Sequence, residues 1–336
     1  MPIINLMTAR GRGGLEIMAL RYHEALEAEG FEVLSIGHPD GVLAGLRHFQ
    51  PLKTGFSYDP VAALRLRAAG HKYGADRVIA HGNRAIALAT HGMAGYADRT
   101  LAVVHNFRFK RDLAKVRAAL CVSDAVLGAV KQAYPALEAR VVEDFVPLVA
   151  QPVKSAPTDV PVIAALGRLH VNKGFDILLQ ALALLRAEGV PFRLRIAGDG
   201  PEKASLEAQV DGLGFGADQV EFAGWVNPVD RFLTQADVFI LPSRVEPFGL
   251  VVAEAMAAGV PVISSDVDGP KTILREGELG LMVPAEDPAA LATAIRTVFS
   301  DWPSALVRAH KAQAQALETY DLPAGQARLK RVLQSI

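Results

Sequence analysis

One cysteine stands in a chain of 336 residues, so no intrachain disulfide can form. It is Cys121, in AALCVSDAV, and reads as a small buried residue suited to a reducing compartment. Long apolar runs are missing too: no stretch reaches the roughly 18 residues that a membrane-crossing helix needs. The opening MPIINLMTARGRGG lacks a basic segment followed by an apolar core, the pattern of a secretory signal. These absences point to a soluble, cytoplasmic protein. Nor does one sign of charge dominate. Lys and Arg number 35 against 36 Asp and Glu, which disfavours nucleic acid as a partner. The nine histidines include no His-Glu-x-x-His or comparable ligand spacing, and no metal is expected. The glycines miss both phosphate fingerprints. No Gly-x4-Gly-Lys-Ser/Thr occurs, and Glu16 holds the place of the third glycine after Gly11-x-Gly13, which disfavours a nicotinamide dehydrogenase. No short-period repeat or low-complexity segment occurs.

Apolar residues are plentiful, 51% of the total, in short runs that alternate with amphipathic stretches. PIINLM, FEVLSIG, RVIAHG, TLAVVHNF and AALCVS read as strands in the first half. The second half restarts with VPVIAALGRL and continues through FRLRIAGDG, QVEFAG, VFILPS and VPVISS, with helical segments between them. This alternation predicts α/β architecture with parallel sheets covered on both faces. The length suits about two domains. PLVAQPVKSAPTDVP, rich in proline and without periodicity, reads as the linker. The expectation is two doubly wound Rossmann-like domains, 1–150 and 151–315, facing a central cleft at the carboxyl ends of their strands. The charge is split between them: residues 1–150 hold 18 Lys and Arg against 14 Asp and Glu, the remainder 17 against 22.

Three stretches carry candidate chemistry. In TARGRGGLEI, Gly13 and Gly14 join a strand to a helix, where bare amides can approach an anion; the alternative is a plain tight turn. In GRLHVNKGFD, Arg168 and Lys173 follow a strong strand and could clamp a diphosphate; the alternative is a solvated surface. SRVEPFGLVVAEAMAAG holds Glu246 and Glu254. On one continuous helix, positions eight apart differ by roughly 80° and 12 Å, so the two carboxylates would not converge. Pro247 and Gly249 break that helix, which leaves Glu246 in a loop and Glu254 about a turn inside a helix starting near Leu250. Between them the helix N-terminus of FGLV offers an anion seat. The alternative is a solvated helix face with Glu246 as a dipole partner.

GRLHVNKG, IAGDGP, FAGWV, ADVFILPSRVEPFGLVVAEAMAAGVPVISS and GELGLMVPAED, in this order, resemble the successive blocks of the family-4 retaining glycosyltransferases of GT-B architecture. The whole second half fits. The first half fits more loosely, through Gly13-Gly14 and VVHNF. The resemblance implies a metal-independent transferase that uses a nucleotide-diphosphate sugar as co-substrate, without a resident cofactor. It assigns Arg168 and Lys173 to the diphosphate, Glu254 to the ribose hydroxyls and Glu246 to the donor sugar. The amides of Phe248, Gly249, Leu250 and Val251 serve the sugar and distal phosphate. Gly14 lies where an N-terminal loop approaches the donor, and His105 matches a histidine near the donor sugar. Residues 1–150 would bind the acceptor, 151–315 the donor, and 316–336 would form a helix returning to the first domain. Many relatives glycosylate lipids or lipopolysaccharide cores, which implies a carbohydrate or glycolipid acceptor.

Two positions depart from the family pattern. Lys271-Thr272 stand where a glutamate is common, and VVEDFVP stands where an Asn-Gly turn is common. The Asp266-x-Asp268 pattern is the metal signature of another glycosyltransferase architecture, but here it lies in the usual loop after a strand, where the neighbouring glycine matters more. Residues 106–120, NFRFKRDLAKVRAAL, interleave aromatic and basic side chains. They read either as a contact for an anionic acceptor or the inner membrane face, or as a solvated helix face. The competing functions are a sugar-nucleotide epimerase of the same architecture and a glycoside hydrolase. The latter would need its carboxylates about 5–9.5 Å apart across one glycosidic bond.

Overall fold

The computed structural model describes residues 2–11, 13–216 and 218–336, and in it the alternation of runs becomes two parallel sheets. The chain forms two compact units. One holds the residues up to Pro147 together with Asp321–Ile336, and the other is Leu148–Tyr320.

The first unit contains β1 (Pro2–Met7), β2 (Glu32–Gly37), β3 (Phe49–Pro51), β4 (Arg77–His81), β5 (Thr100–Val104), β6 (Ala118–Cys121) and β7 (Glu138–Val141). Their order in the sheet is β3-β2-β1-β4-β5-β6-β7, all parallel. Strands covered on both faces must be apolar on both, and Ile3, Ile4, Leu6, Val78, Ile79 and Leu101 are all fully buried. The winding reverses between β1 and β4, which opens a crevice at their carboxyl ends. The helix Leu322–Ser335 completes this unit: Lys330 Nζ lies 2.7 Å from Glu29 Oε2, and Arg77 donates to the Leu333 carbonyl at 3.1 Å. Gly325 is forced by packing, since a Cβ there would lie 2.0 Å from the Phe145 ring. The stretch read as one returning helix is interrupted. Trp302–Thr319 is a helix of the second unit, and Asp321 opens the next by accepting from the Leu322 amide at 2.7 Å.

The second unit contains β8 (Val162–Leu166), β9 (Arg193–Ala197), β10 (Val220–Gly224), β11 (Val238–Leu241), β12 (Val262–Ser265) and β13 (Leu281–Val283), ordered β10-β9-β8-β11-β12-β13. Its core gathers Phe175, Leu178, Leu182 and Leu185 of one helix with Ile295 and Val298 of another over Ile163, Ile196 and Ile240. Here the winding reverses between β8 and β11.

One reading of the sequence is corrected. Residues 106–120 are not an α-helix: a 3-10 turn, Arg111–Lys115, precedes β6. The proline-rich stretch read as the linker begins at the boundary of the two units, which falls after Pro147. Asp237, fully buried, accepts from Lys154 Nζ at 3.0 Å and from Thr158 Oγ1 at 2.6 Å, and so straps that segment onto the second unit.

Candidate functional site

In the second unit the loops after β8 and β11 meet at the reversal of the winding. The first carries Arg168 and a 3-10 turn, Val171–Lys173, which ends at Gly174 with φ 64°. Helix Phe175–Ala187 follows at once. The second loop carries Glu246 and ends at Gly249, φ 96°, where helix Leu250–Ala257 begins. The two loops touch through backbone. A Cβ on Gly174 would lie 2.0 Å from the Pro242 carbonyl oxygen, so only glycine permits this approach.

The Lys173 stem runs against Gly167, and its ammonium donates to Glu246 Oε2. Ser243 Oγ donates to the same oxygen at 3.4 Å. A buried carboxylate is costly without a partner, and Glu246 is only 8% exposed; Lys173 supplies the partner. Arg168 is exposed and forms no ion pair with any described residue.

Phe248, Gly249, Leu250 and Val251 cross from loop into helix. Phe248 is buried, with Tyr320 edge-on at 5.7 Å. Gly269 presses from another side: its amide donates to the Glu246 carbonyl at 3.0 Å, and a Cβ on it would meet the Phe248 oxygen at 2.2 Å. Here the glycine beside Asp268 shapes the loop that carries Glu246. No side chain caps the helix at Gly249, so its first amides keep their capacity to bind an anion. Glu254 is half-buried in the second turn. The structure thus joins Lys173 to Glu246 directly and carries Phe248 to Val251 and Glu254 on the same loop and helix. Sequence reasoning passed over Arg244 and Asp176, which pair 68 positions apart. Asp266 lies 3.2 Å from Lys271 Nζ, and among the described residues no three His, Cys, Asp or Glu side chains cluster as a metal site would require.

In the first unit Gly13 caps helix Gly14–Ala28 with no side-chain bond, and Arg12 lies outside the described residues. The Glu16 carboxylate lies over the glycines: a Cβ on Gly11 would sit 2.9 Å from Glu16 Oε1, and one on Gly13 3.1 Å from Oε2. A negative group is therefore already accommodated beside this helix start. Gly82, at the carboxyl end of β4, packs against Leu15, and His81 before it stacks on His105 with centroids 6.0 Å apart. Leu15, the neighbour of Gly14, and His105 therefore both border the end of β4, which no motif had marked.

Behind His81 runs a buried polar chain. The Asn5 amide nitrogen donates to the Ala19 carbonyl at 2.8 Å and to Ser35 Oγ at 3.3 Å. Its Oδ1 therefore faces His81 Nε2 at 2.9 Å, which fixes the proton on Nε2 and leaves Nδ1 bare. Burial, with His105 adding to it, holds the His81 pKa well below the ordinary imidazole range, so the ring is neutral. Ser35 Oγ meets His23 Nδ1 at 3.0 Å, and His23 Nε2 lies 3.3 Å from Glu27. His105 Nδ1 is 3.6 Å from Asp144, while its Nε2 is buried without a hydrogen-bond partner among the described residues.

Residues 160–301 match the family model described as Glycosyl transferases group 1. They are a glycosyltransferase group 1 domain. This domain takes in all six strands of the second unit. The lipopolysaccharide core biosynthesis glycosyltransferases LpsE and LpsD of Rhizobium meliloti (strain 1021) are similar in sequence. LpsE is 40% identical over 145 residues, 43% of this chain and 41% of LpsE. LpsD is 32% identical over 191 residues, 55% of this chain and 54% of LpsD. The chain thus spans about half the length of these curated relatives. Among solved structures, Anabaena Alr3699/HepE in complex with UDP superposes with a TM-score of 0.81 at 21% identity, covering 100% of both chains. The fold of the chain is accordingly GT-B, built from two Rossmann-like units.

Proposed function

We propose that the protein is a retaining glycosyltransferase that moves a sugar from a nucleotide-diphosphate donor to an acceptor hydroxyl on a cell-envelope glycolipid or polysaccharide. The observation that carries this reading is the contact of Lys173 with Glu246 beside the uncapped helix Leu250–Ala257, inside a glycosyltransferase group 1 domain. Solved HepE, of the same fold, holds UDP.

Breaking the anomeric C–O bond leaves negative charge on the departing diphosphate. Arg168, Lys173 and the amides of Phe248 to Val251 stabilise that charge, each charge-assisted hydrogen bond contributing about 1.5–3 kcal/mol. An activated leaving group removes the need for a strong general acid, and these groups do the work without a metal. The arriving diphosphate competes with Glu246 for the Lys173 ammonium, which turns the carboxylate towards a hydroxyl of the donor sugar. Glu254 accepts from the ribose hydroxyls. Gly13 and Gly14 approach the donor, and His105 contacts its sugar. With no enzymic nucleophile in this scheme, retention follows from front-face attack, in which the departing phosphate takes the acceptor proton. The acceptor belongs to the first unit, where Arg108, Lys110 and Arg111 are exposed and suit an anionic acceptor or peripheral contact with the inner membrane face. Among the described residues no helix is long and apolar enough to cross a membrane.

Thermal denaturation with UDP, GDP and ADP, then with their sugars, tests the reading. A ligand at 100 times its Kd stabilises by about 2.7 kcal/mol, and one nucleotide should raise Tm accordingly. No shift with any of the three overturns the donor assignment. An epimerised nucleotide sugar formed from donor alone would replace transfer by isomerisation.

A further inference from the structure

Two residues before Glu246, Arg244 makes a set of contacts that the proposed chemistry does not use. Its Nη1 and Nη2 donate to Asp176 Oδ1 and Oδ2, both at 2.7 Å, a fork-to-fork pair. Nη1 also donates to the Val171 carbonyl and Nε to Glu286 Oε1, each at 2.8 Å. Through its backbone, the Arg244 amide donates to the Asn172 carbonyl at 2.8 Å. These partners bracket Lys173: Val171 and Asn172 precede it, and Asp176 lies in the first turn of the helix that follows.

We infer that Arg244 is a positioning residue whose guanidinium sets the contact between the Lys173 ammonium and the Glu246 carboxylate. The inference rests on the reading of those two groups as donor-binding. From the loop after β11, this one guanidinium reaches Val171 and Asp176 on either side of Lys173, and Glu286 after β13. Lysine cannot replace it, because a single ammonium lacks the planar fork that meets both carboxylate oxygens. Truncation to alanine keeps the bond from the residue 244 amide to Asn172, so it isolates the guanidinium. The fork also holds the Asp176 carboxyl below its ordinary pKa, so the pair stays charged at neutral pH.

A double-mutant cycle on nucleotide affinity separates positioning from general loss of structure. Isothermal titration with UDP, GDP and ADP is run on the unmutated protein, Arg244→Ala, Lys173→Met and the double variant, with Tm followed by tryptophan fluorescence. The tightest of the three nucleotides should bind Arg244→Ala about tenfold more weakly. In the Lys173→Met background the same change should cost less than about twofold, while Tm falls equally in both backgrounds. Arg244→Lys and Asp176→Asn should each reproduce part of the loss, and they carry the test should Arg244→Ala not fold. Equal losses in the two backgrounds, or none in either, overturn the inference while leaving the donor reading intact. If the unmutated protein binds none of the three, both fall together.

Discussion

Both sheets reverse their winding between the third and fourth strand, at β1/β4 in one unit and β8/β11 in the other, yet the groups gathered there differ. At the first reversal stand Asn5, Ser35, His23 and His81, buried and linked by hydrogen bonds, while His81 Nδ1 and His105 Nε2 have no hydrogen-bond partner among the described residues. At the second stand ion pairs, Lys173 with Glu246 and Arg244 with Asp176 and Glu286. One scaffold thus serves two kinds of polarity. At one reversal the links are hydrogen bonds within a buried chain, and at the other they are ion pairs.

The largest way to disturb the contrast is through the glycines that permit close approach. Gly174→Ala drives a methyl group into the Pro242 carbonyl at a positive φ and should destabilise the second unit by about 1–3 kcal/mol or more. Both tryptophans, Trp225 and Trp302, lie in that unit, so their fluorescence reports its melting. Gly325→Ala, against Phe145, should instead lower hydrogen-exchange protection in the first unit. A variant that shifts both signals equally would show that the units do not respond separately.

Next in size are the carboxylates. Loss of charge-assisted hydrogen bonds worth about 1.5–3 kcal/mol should make Glu254→Ala bind nucleotide about 10- to 150-fold more weakly. Glu246→Ala should act mainly on turnover. Unchanged nucleotide affinity in Glu254→Ala, measured by titration calorimetry, would end the ribose assignment.

Acidification sharpens the comparison further. Burial lowers the pKa of His81 and of His23 from the ordinary 6.5. Below about pH 6.5 the unfolded chain then binds more protons than the folded one, so stability present above that pH is lost as pH falls. In the second unit the Asp176 pKa is lowered from 3.8 by its hydrogen bonds to Arg244, so its contribution persists until pH falls through that lower value. Between pH 7.5 and 5.5, the hydrogen-exchange protection of β4, taken relative to the intrinsic rate at each pH, should fall while tryptophan fluorescence holds steady. His81→Gln should flatten the response. Simultaneous loss of both signals would erase the distinction. The smallest effect belongs to Lys271→Ala: its pairs with Asp266 and Glu276 are exposed, and Tm should not change measurably.

The second unit was the more legible in sequence because its chemistry is written in contiguous stretches. The Pro247–Gly249 break placed Glu246 in a loop and began the helix near Leu250, as the structure has it, with the helix spanning Leu250–Ala257. Lys173 and Gly174 likewise marked a loop entering a helix. Partners distant in the chain were not legible. Nothing in SRVEPFG shows that Arg244 reaches Asp176, or that Glu246 meets Lys173 73 positions away. In the first unit, residues 106–120 carry a spacing that a helix face and a 3-10 turn share, and the turn prevails because β6 begins at Ala118.

By itself the sequence determined the strand and helix alternation, the two-unit architecture and the breaks between loop and helix at Lys173-Gly174 and Pro247–Gly249. These depend on periodicity and on the conformations that Gly and Pro allow, both of which are properties of neighbouring residues. Only the tertiary structure decided which loops meet. Strand order places β4 beside β1 and β11 beside β8, across 70 residues or more of chain. The tautomer of His81, the partner of Lys173 and the fork of Arg244 all follow from that adjacency, because hydrogen bonds and ion pairs act over a few ångströms of space whatever the distance along the chain.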